Sequence, residues 1–305
     1  LSSLWGLAEV ALAHSPLFWI GIGGSLLPGN IALAGWASLI GAGGLATIQL
    51  LIGFWLLHIV VDLSSGIWRS KSFFFGLLFL LVAHIIGSAL LRESTAFESI
   101  SVALWQPNIS IRTKFSQEQQ NRLPQDIQES LDRAKSLSAS LLIAPEGTLS
   151  ANQDLLAPAP VSLLAGGFRW VRGMQRSSLL VFDRGERVFS HAIDKHRLVP
   201  IGERVPRFSR FSIKGLSAVG GLEPGDSSRL LSWSGPPLAA AICYELSDGN
   251  AVATAVKDGA EWILAIANLD PYPISLQRQF LSLAQLRSIE NARDLISVSN
   301  TGPTS

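Results

Sequence analysis

Charge is all but absent from the first 91 residues of this chain, and that feature narrows the fold more than any motif. Residues 1–91 hold four formal charges, Glu9, Asp62, Arg69 and Lys71, and the other 43 lie beyond them. Such a segment suits an apolar solvent, and the remainder suits water. The run 73–91 (FFFGLLFLLVAHIIGSALL) is uncharged and has the length a helix needs to cross a bilayer. Residues 31–61 are also uncharged but too long for one span. The cluster Gly41-Ala42-Gly43-Gly44 divides them, so a span is expected at 43–61, with 31–40 at the interface. Residues 4–27, broken at Ser15-Pro16 and ended by Pro28-Gly29-Asn30, form a third apolar stretch. A partial transmembrane helical domain is therefore expected over 1–91 and a water-facing domain over 92–305.

Arg69 and Lys71, in the connection 62–72, place that connection in the cytoplasm by the positive-inside tendency, and everything after Arg92 on the far side. Trp5, Trp19, Trp36, Trp55 and Trp68 suit either interfacial belts or helix packing. His58 and Asp62, four apart, share a helix face; they are read as a local hydrogen bond rather than a proton relay or metal site, and His84 likewise as structural. Starting at Leu1 and stopping soon after Asn300-Thr301-Gly302, the chain is expected to be a piece of a longer protein. The balance of 24 Lys and Arg against 23 Asp and Glu gives no reason to expect a nucleic-acid partner. One cysteine leaves no internal disulfide framework, and no cofactor or metal motif is read.

Beyond residue 99, strand-length apolar runs (100–104, 140–145, 179–183, 188–193, 238–242, 261–267 and 295–299) alternate with amphipathic stretches. Leu123, Ile127, Leu131 and Ala134 recur at the spacing of one buried helix face over 118–138. Further helices are expected around Ala251, Val252, Ala255 and Val256, closed by Gly259, and over 275–293, with Phe280, Leu283, Ala284, Leu286 and Ile289 apolar. This alternation predicts a layered α/β domain with buried strands.

Reactive residues stand at the ends of those strands. LLIAPE places Glu146 after one, FSHAIDK places Lys195 after another, and LAAAIC places Cys243 after a third. In α/β sheets, sites form in loops beyond the carboxyl ends of strands. Each residue alone has an ordinary explanation: a buried small hydrophobe for Cys243, a cap or solvated acid for Glu146, surface charge for Lys195. Their combination points to a thiol nucleophile with a base and a cation beside it. Two rivals stay open: a Cys–His hydrolase using His191 or His196, and a non-catalytic membrane module in which Cys243 is core.

The motifs resemble those of the carbon–nitrogen hydrolase (nitrilase) superfamily, and more closely a membrane-anchored acyltransferase within it. Ala144-Pro145-Glu146-Gly147-Thr148 is similar to its P-E strand end, and Ile242-Cys243-Tyr244-Glu245 to its I-C-Y-E motif. The segment from Ile193-Asp194-Lys195 through Leu198-Val199-Pro200-Ile201-Gly202-Glu203 to Arg204-Val205-Pro206 is similar to D-K-x-x-L-V-P-F-G-E-x-V-P. The resemblance implies an αββα sandwich preceded by transmembrane helices. It implies Glu146 as general base, Lys195 as electrostatic stabiliser and Cys243 as nucleophile. Glu203 and Glu245 then orient Lys195 and the substrate amine, and the Tyr244 N–H helps hold an oxyanion.

The reaction implied is acyl transfer without a cofactor. A phospholipid acyl donor esterifies Cys243 as a thioester, and the N-terminal amine of a diacylglyceryl apolipoprotein accepts the chain. The implied setting is a monomer in the bacterial inner (plasma) membrane, multi-pass, with its catalytic domain on the periplasmic side. A soluble-amide amidase with the same three residues is the rival within the superfamily. Two departures stand out. After Asn268, Leu269-Asp270-Pro271-Tyr272 does not follow the usual Asn-Asp-x-Trp-Phe, and Phe115 stands where Trp is frequent.

Overall fold

A computed structural model describes residues 1–15, 20–66, 70–91, 99–114, 116–200, 202–203 and 221–305. Trp19, Trp68, Arg69, Arg92, Phe115, Ile201 and Arg204-Val205-Pro206 lie outside the described residues. The chain divides into two units: Leu1–Ser94 with Ser282–Arg293, and Thr95–Leu281 with Asp294–Ser305.

The first unit is helical: α1 (Ser2–Ala13), α2 (Ile31–Ala34), α3 (Ala37–Ser64) and α4 (Ser70–Leu90). Two of its helices, Ala37–Ser64 and Lys71–Leu90, are long and apolar enough to cross a membrane, with mean hydropathies of 2.0 and 2.3. Leu57, Val60, Phe74, Phe75 and Ile85 point outward, a face that water would penalise and hydrocarbon would not.

The glycine cluster interrupts α3 as its sequence suggests, with Gly41 at φ 61°. The helix restarts at Ala42, whose N–H donates to Glu290 Oε1 at 3.0 Å, a carboxylate at a fresh helix N-terminus. Small residues bring α1 and α3 together: a Cβ on Gly43 would stand 2.6 Å from the Gly6 carbonyl oxygen. The tryptophans act as packing groups here. Trp36 Nε1 donates to the Ala83 carbonyl (2.9 Å) and Trp55 Nε1 to that of Ser72 (3.2 Å). His58 and Asp62 lie 3.5 Å apart across one helical turn. Both ring nitrogens of His84 are engaged, by Leu80 O (2.7 Å) and Asn30 Nδ2 (2.9 Å), which is a structural histidine.

The second unit contains nine strands among its described residues: β1 (Val102–Leu104), β2 (Leu141–Leu149), β3 (Ser162–Val171), β4 (Met174–Phe182), β5 (His191–Asp194), β6 (Leu230–Leu231), β7 (Leu238–Ile242), β8 (Trp262–Ala267) and β9 (Leu295–Ser299). They form two sheets, ordered β1-β2-β3-β4-β5 and β6-β7-β8-β9. Strands β1, β2 and β3 run parallel, as do β7, β8 and β9; the pairs β3–β4, β4–β5 and β6–β7 are antiparallel.

Period-two alternation builds the layers. Leu141, Ile143, Leu164, Leu179 and Val181 of one sheet meet Leu238, Ala240, Ile242, Leu264 and Val298 of the other. The opposite face of the first sheet, with Leu142, Ala144, Leu163 and Phe182, is covered by Leu123, Ile127, Leu131 and Ala134 of α6 (Gln117–Ser136), which follows the short α5 (Ile111–Lys114). The outer face of the second sheet receives Val252 and Ala255 of α7 (Gly249–Lys257); α8 (Ile274–Asn291) starts in this unit and from Ser282 onward belongs to the first. The result is the αββα sandwich implied by the motifs.

Each segment read as a strand carries one, and β3 and β6 are additions. β3 escaped notice because Gly166-Gly167 interrupts its apolar run. The structure gives Gly166 a reason: a Cβ there would lie 2.4 Å from Glu146 Cα and 2.6 Å from the Pro145 oxygen.

Candidate active site

The three strand-end residues converge, and the backbone explains how. Along β2 and β3, Ala144 pairs with Ala165 and Leu149 with Gly167, so residues 145–148 bulge opposite the single Gly166. Pro145 has no N–H for a ladder, Gly147 takes φ +68°, and Thr148 Oγ1 donates to the Pro145 carbonyl at 2.7 Å. The bulge carries Glu146 out of the ladder. Lys195 follows β5 directly, its N–H donating to the Ser177 carbonyl at 2.8 Å. Cys243 follows β7 at φ 52°, a left-handed conformation costly for a side chain with a Cβ, and opens the 3₁₀ turn Cys243–Ser247.

Lys195 is 1% exposed, and its Nζ donates to Glu146 Oε1 at 2.9 Å and Glu203 Oε1 at 2.7 Å. The second oxygen of Glu146 accepts the Asn268 N–H at 3.1 Å; that of Glu203 accepts the Val199 N–H at 2.8 Å. Burial by itself would weaken the hold of Lys195 on its proton. Glu146 and Glu203, with Cys243 behind them, outweigh burial and hold the ammonium well above the ordinary lysine value. Burial pushes the Cys243 thiol well up, Glu146 adds to that, and Lys195 pulls back in part. The resting sulfur is therefore a thiol facing a carboxylate and an ammonium. Burial also raises Glu203, against the pull of Lys195.

Glu245 acts as a clamp rather than at the sulfur. Its Oε1 accepts the N–H groups of His196 (2.7 Å) and Arg197 (3.1 Å), and its Oε2 that of Ile242 (3.0 Å). The loop after Lys195 and the turn at Cys243 are thus tied to one carboxylate. Arg229, 3% exposed, closes the arrangement: its Nη1 donates to both Glu245 oxygens (3.0 and 3.1 Å) and to the Asp194 carbonyl (2.9 Å). Asp194 in turn accepts from Arg169, Arg176 and Ser178 at 2.6 to 2.9 Å. Tyr244 is buried, with the Arg197 guanidinium 5.0 Å from its ring centroid.

The histidines are placed elsewhere. His196 is exposed, its Nδ1 on the Gly225 carbonyl at 2.8 Å, and His191 is exposed against Ser190. Both rings lie at the surface on other partners, whereas Cys243 is buried, which argues against a Cys–His pair.

Sequence reading passed over three neighbours. Arg229 belongs to no motif. Tyr272, in the departing loop, is close enough to feel Cys243; burial first, then that sulfur, push its hydroxyl up to about 12. Lys114 stands over Gly147, and burial lowers its proton affinity while Glu146 and Asp270 oppose the drop. Its one available signal was adjacency to Phe115.

No protein-family model matches the chain. Curated relatives match it from end to end: an apolipoprotein N-acyltransferase of Prochlorococcus marinus (strain MIT 9313) is 63% identical over 304 residues, covering 100% of this chain and 61% of the relative. That of Parasynechococcus marenigrum (strain WH8102) is 50% identical over 313 residues, covering 100% and 64%. That of Shewanella oneidensis is 28% identical over 338 residues, covering 99% and 62%. The chain therefore spans about three fifths of the length of these relatives. Among solved structures, a Nesterenkonia amidase from the nitrilase superfamily aligns over 68% of this chain and 78% of its own at 17% identity, with a TM-score of 0.47, a likeness too slight to argue from. Along its whole length the chain is thus similar, at 63% and 50% identity, to proteins that carry one name, apolipoprotein N-acyltransferase.

Proposed function

We propose that this chain carries the reacting centre of an N-acyltransferase that moves a fatty acyl chain from a phospholipid to the N-terminal amine of a diacylglyceryl apolipoprotein. The observation that supports it best is the buried set of Glu146, Lys195 and Cys243, in which a protonated thiol faces a carboxylate and a fixed ammonium.

Glu146 takes the Cys243 proton as Sγ attacks the ester carbonyl carbon of the donor. The oxyanion forms beside the Lys195 ammonium, with the Tyr244 N–H as second donor. The C–O bond breaks, and Glu146 returns the proton to the departing glycerol oxygen. The thioester remains on Cys243. In the second half the acceptor amine loses a proton to Glu146 and attacks the thioester carbon. The C–S bond breaks, and the thiolate recovers that proton. Glu203 and the Glu245 clamp hold Lys195 and Cys243 in register throughout.

A donor and an acceptor that both reside in lipid fit a chain with two helices able to cross a membrane. The setting proposed is the bacterial inner membrane, multi-pass, with the αββα unit on the periplasmic side, as a monomer without a cofactor. The test is incubation with phospholipid followed by peptide mass analysis. An acyl-sized increase on Cys243 that a lipopeptide amine discharges supports the reading. Release of free fatty acid without transfer to the amine would point to a hydrolase.

A further inference from the structure

The charge around the sulfur does not balance for the donor proposed above. Lys195 is taken up by two carboxylates, Glu146 and Glu203, so the set carries more negative than positive charge while the thiol is protonated. A phospholipid brings a phosphodiester anion close to its scissile ester. An anion entering an acidic pocket is repelled unless another cation meets it.

One such cation is in place. Lys114 ends the four-residue helix α5 and is partly buried. Its Nζ stands 2.8 Å, and its Cε 3.7 Å, from where a Cβ on Gly147 would be. Gly147 is the residue after Glu146; having no side chain and a φ of +68° there, it leaves the space that the ammonium occupies. Glu146 and Asp270, the latter in the departing loop, are the acids within electrostatic reach of Lys114. Its backbone N–H is held by the Ser110 carbonyl at 2.9 Å, but among the described residues its ammonium makes no ion pair or hydrogen bond, unlike that of Lys195. A lysine that gives up solvent without a fixed partner is a poor structural choice and a suitable receiver for an incoming anion.

We propose that Lys114 forms an anion subsite that receives the phosphodiester of the acyl donor, placing the donor's ester over Cys243. The inference rests on the acyl-transfer reading and adds to it the donor group that this chain recognises. Lys114 takes no proton and makes no bond in the reaction; it sets which donors are accepted.

The experiment compares two donors on the protein purified in detergent, reading acylation of Cys243 by intact mass over time. One donor is a diacyl phospholipid. The other is a neutral long-chain acyl nitrophenyl ester of the same chain length. A charge-assisted contact is worth roughly 10- to 100-fold, so Lys114→Met should lose about that factor in kcat/KM with phospholipid, mostly through KM. The nitrophenyl ester should react at a near-unchanged rate with Lys114→Met. Lys114→Arg should keep most of the phospholipid rate, because the charge survives.

Equal loss on both donors would overturn the subsite, since Lys114 would then act through Glu146 or the fold. No loss on either would overturn it too. If the unaltered protein accepts the neutral ester and never phospholipid, the subsite fails with the donor class. If it acylates Cys243 from neither donor, the acyl-transfer reading itself fails. Retained acylation of Lys114→Met by the neutral ester also reports an intact site in that variant.

Discussion

Arg229 is the residue whose removal tests how the two sheets are held in register. Its guanidinium is buried, binds both oxygens of Glu245 and reaches the Asp194 carbonyl. Arg229→Met leaves a buried carboxylate without its cation. Breaking a buried pair from one side costs about 3–5 kcal/mol. Glu245 keeps the N–H groups of Ile242, His196 and Arg197, which favours the lower end. For a domain of this size, about 3 kcal/mol lowers Tm by roughly 6–12 °C. The assay is thermal unfolding of the detergent-purified protein by circular dichroism, run beside Glu245→Gln and the double variant. The double variant should recover much of the single loss, because no charge is then left unpaired. Acyl transfer should fall in both, since the clamp on the loop after Lys195 is gone. A melting point for Arg229→Met within about 2 °C of the unaltered protein would refute the clamp.

Other outcomes follow from the same geometry. Glu146→Gln should lower the pKa of Cys243, since Glu146 raises it and Lys195 opposes: iodoacetamide labelling near pH 8 speeds up while acylation by phospholipid disappears. Lys195→Met should drive that thiol higher still and reduce acyl transfer by about 10²–10³-fold, as when one oxyanion donor is lost; a loss under tenfold would count against its role. Asp194 is held below the usual carboxylate range: burial raises it, but Arg169, Arg176 and Ser178 outweigh burial. Its folded-state pKa is depressed, so its contribution to stability is present above the unfolded value near 4 and is lost as pH falls through the folded one. Asp194→Asn should therefore melt earlier at pH 7 and lose the difference on acidification; a constant difference down to low pH would contradict this. Gly166→Ala, with its Cβ 2.4 Å from Glu146 Cα, should cut acyl transfer by about 10²-fold, as a displacement near 1 Å does.

Much of this was legible in the chain because it is local. Period-two and period-3.6 patterns mark strands and helices wherever one face is buried, and the faces of α6 and α7 fall where Leu131 and Val252 put them. The poverty of charge before residue 92 announces apolar helices, and the three strand-end motifs announce the reacting groups. What escaped is what contacts decide. β3 hides behind Gly166-Gly167, glycines demanded by a strand that is distant in sequence. The bulge at 145–148 depends on pairing with that strand. Arg229, Lys114 and Tyr272 join the site through space, from segments with no motif of their own. The Asn268 N–H meets Glu146, and the departing loop that follows still reaches the site through Tyr272, whose hydroxyl feels Cys243.

Everything proposed for the chemistry meets in one mass spectrum. The detergent-purified protein, incubated with a phospholipid of defined acyl chains and digested, should yield the Cys243 peptide heavier by one acyl group. Glu146→Gln should abolish that increase, and a lipopeptide with a free N-terminal amine should discharge it. A Cys243 peptide that stays unmodified with every phospholipid, while its thiol still reacts with iodoacetamide, would contradict the acyl-transfer reading.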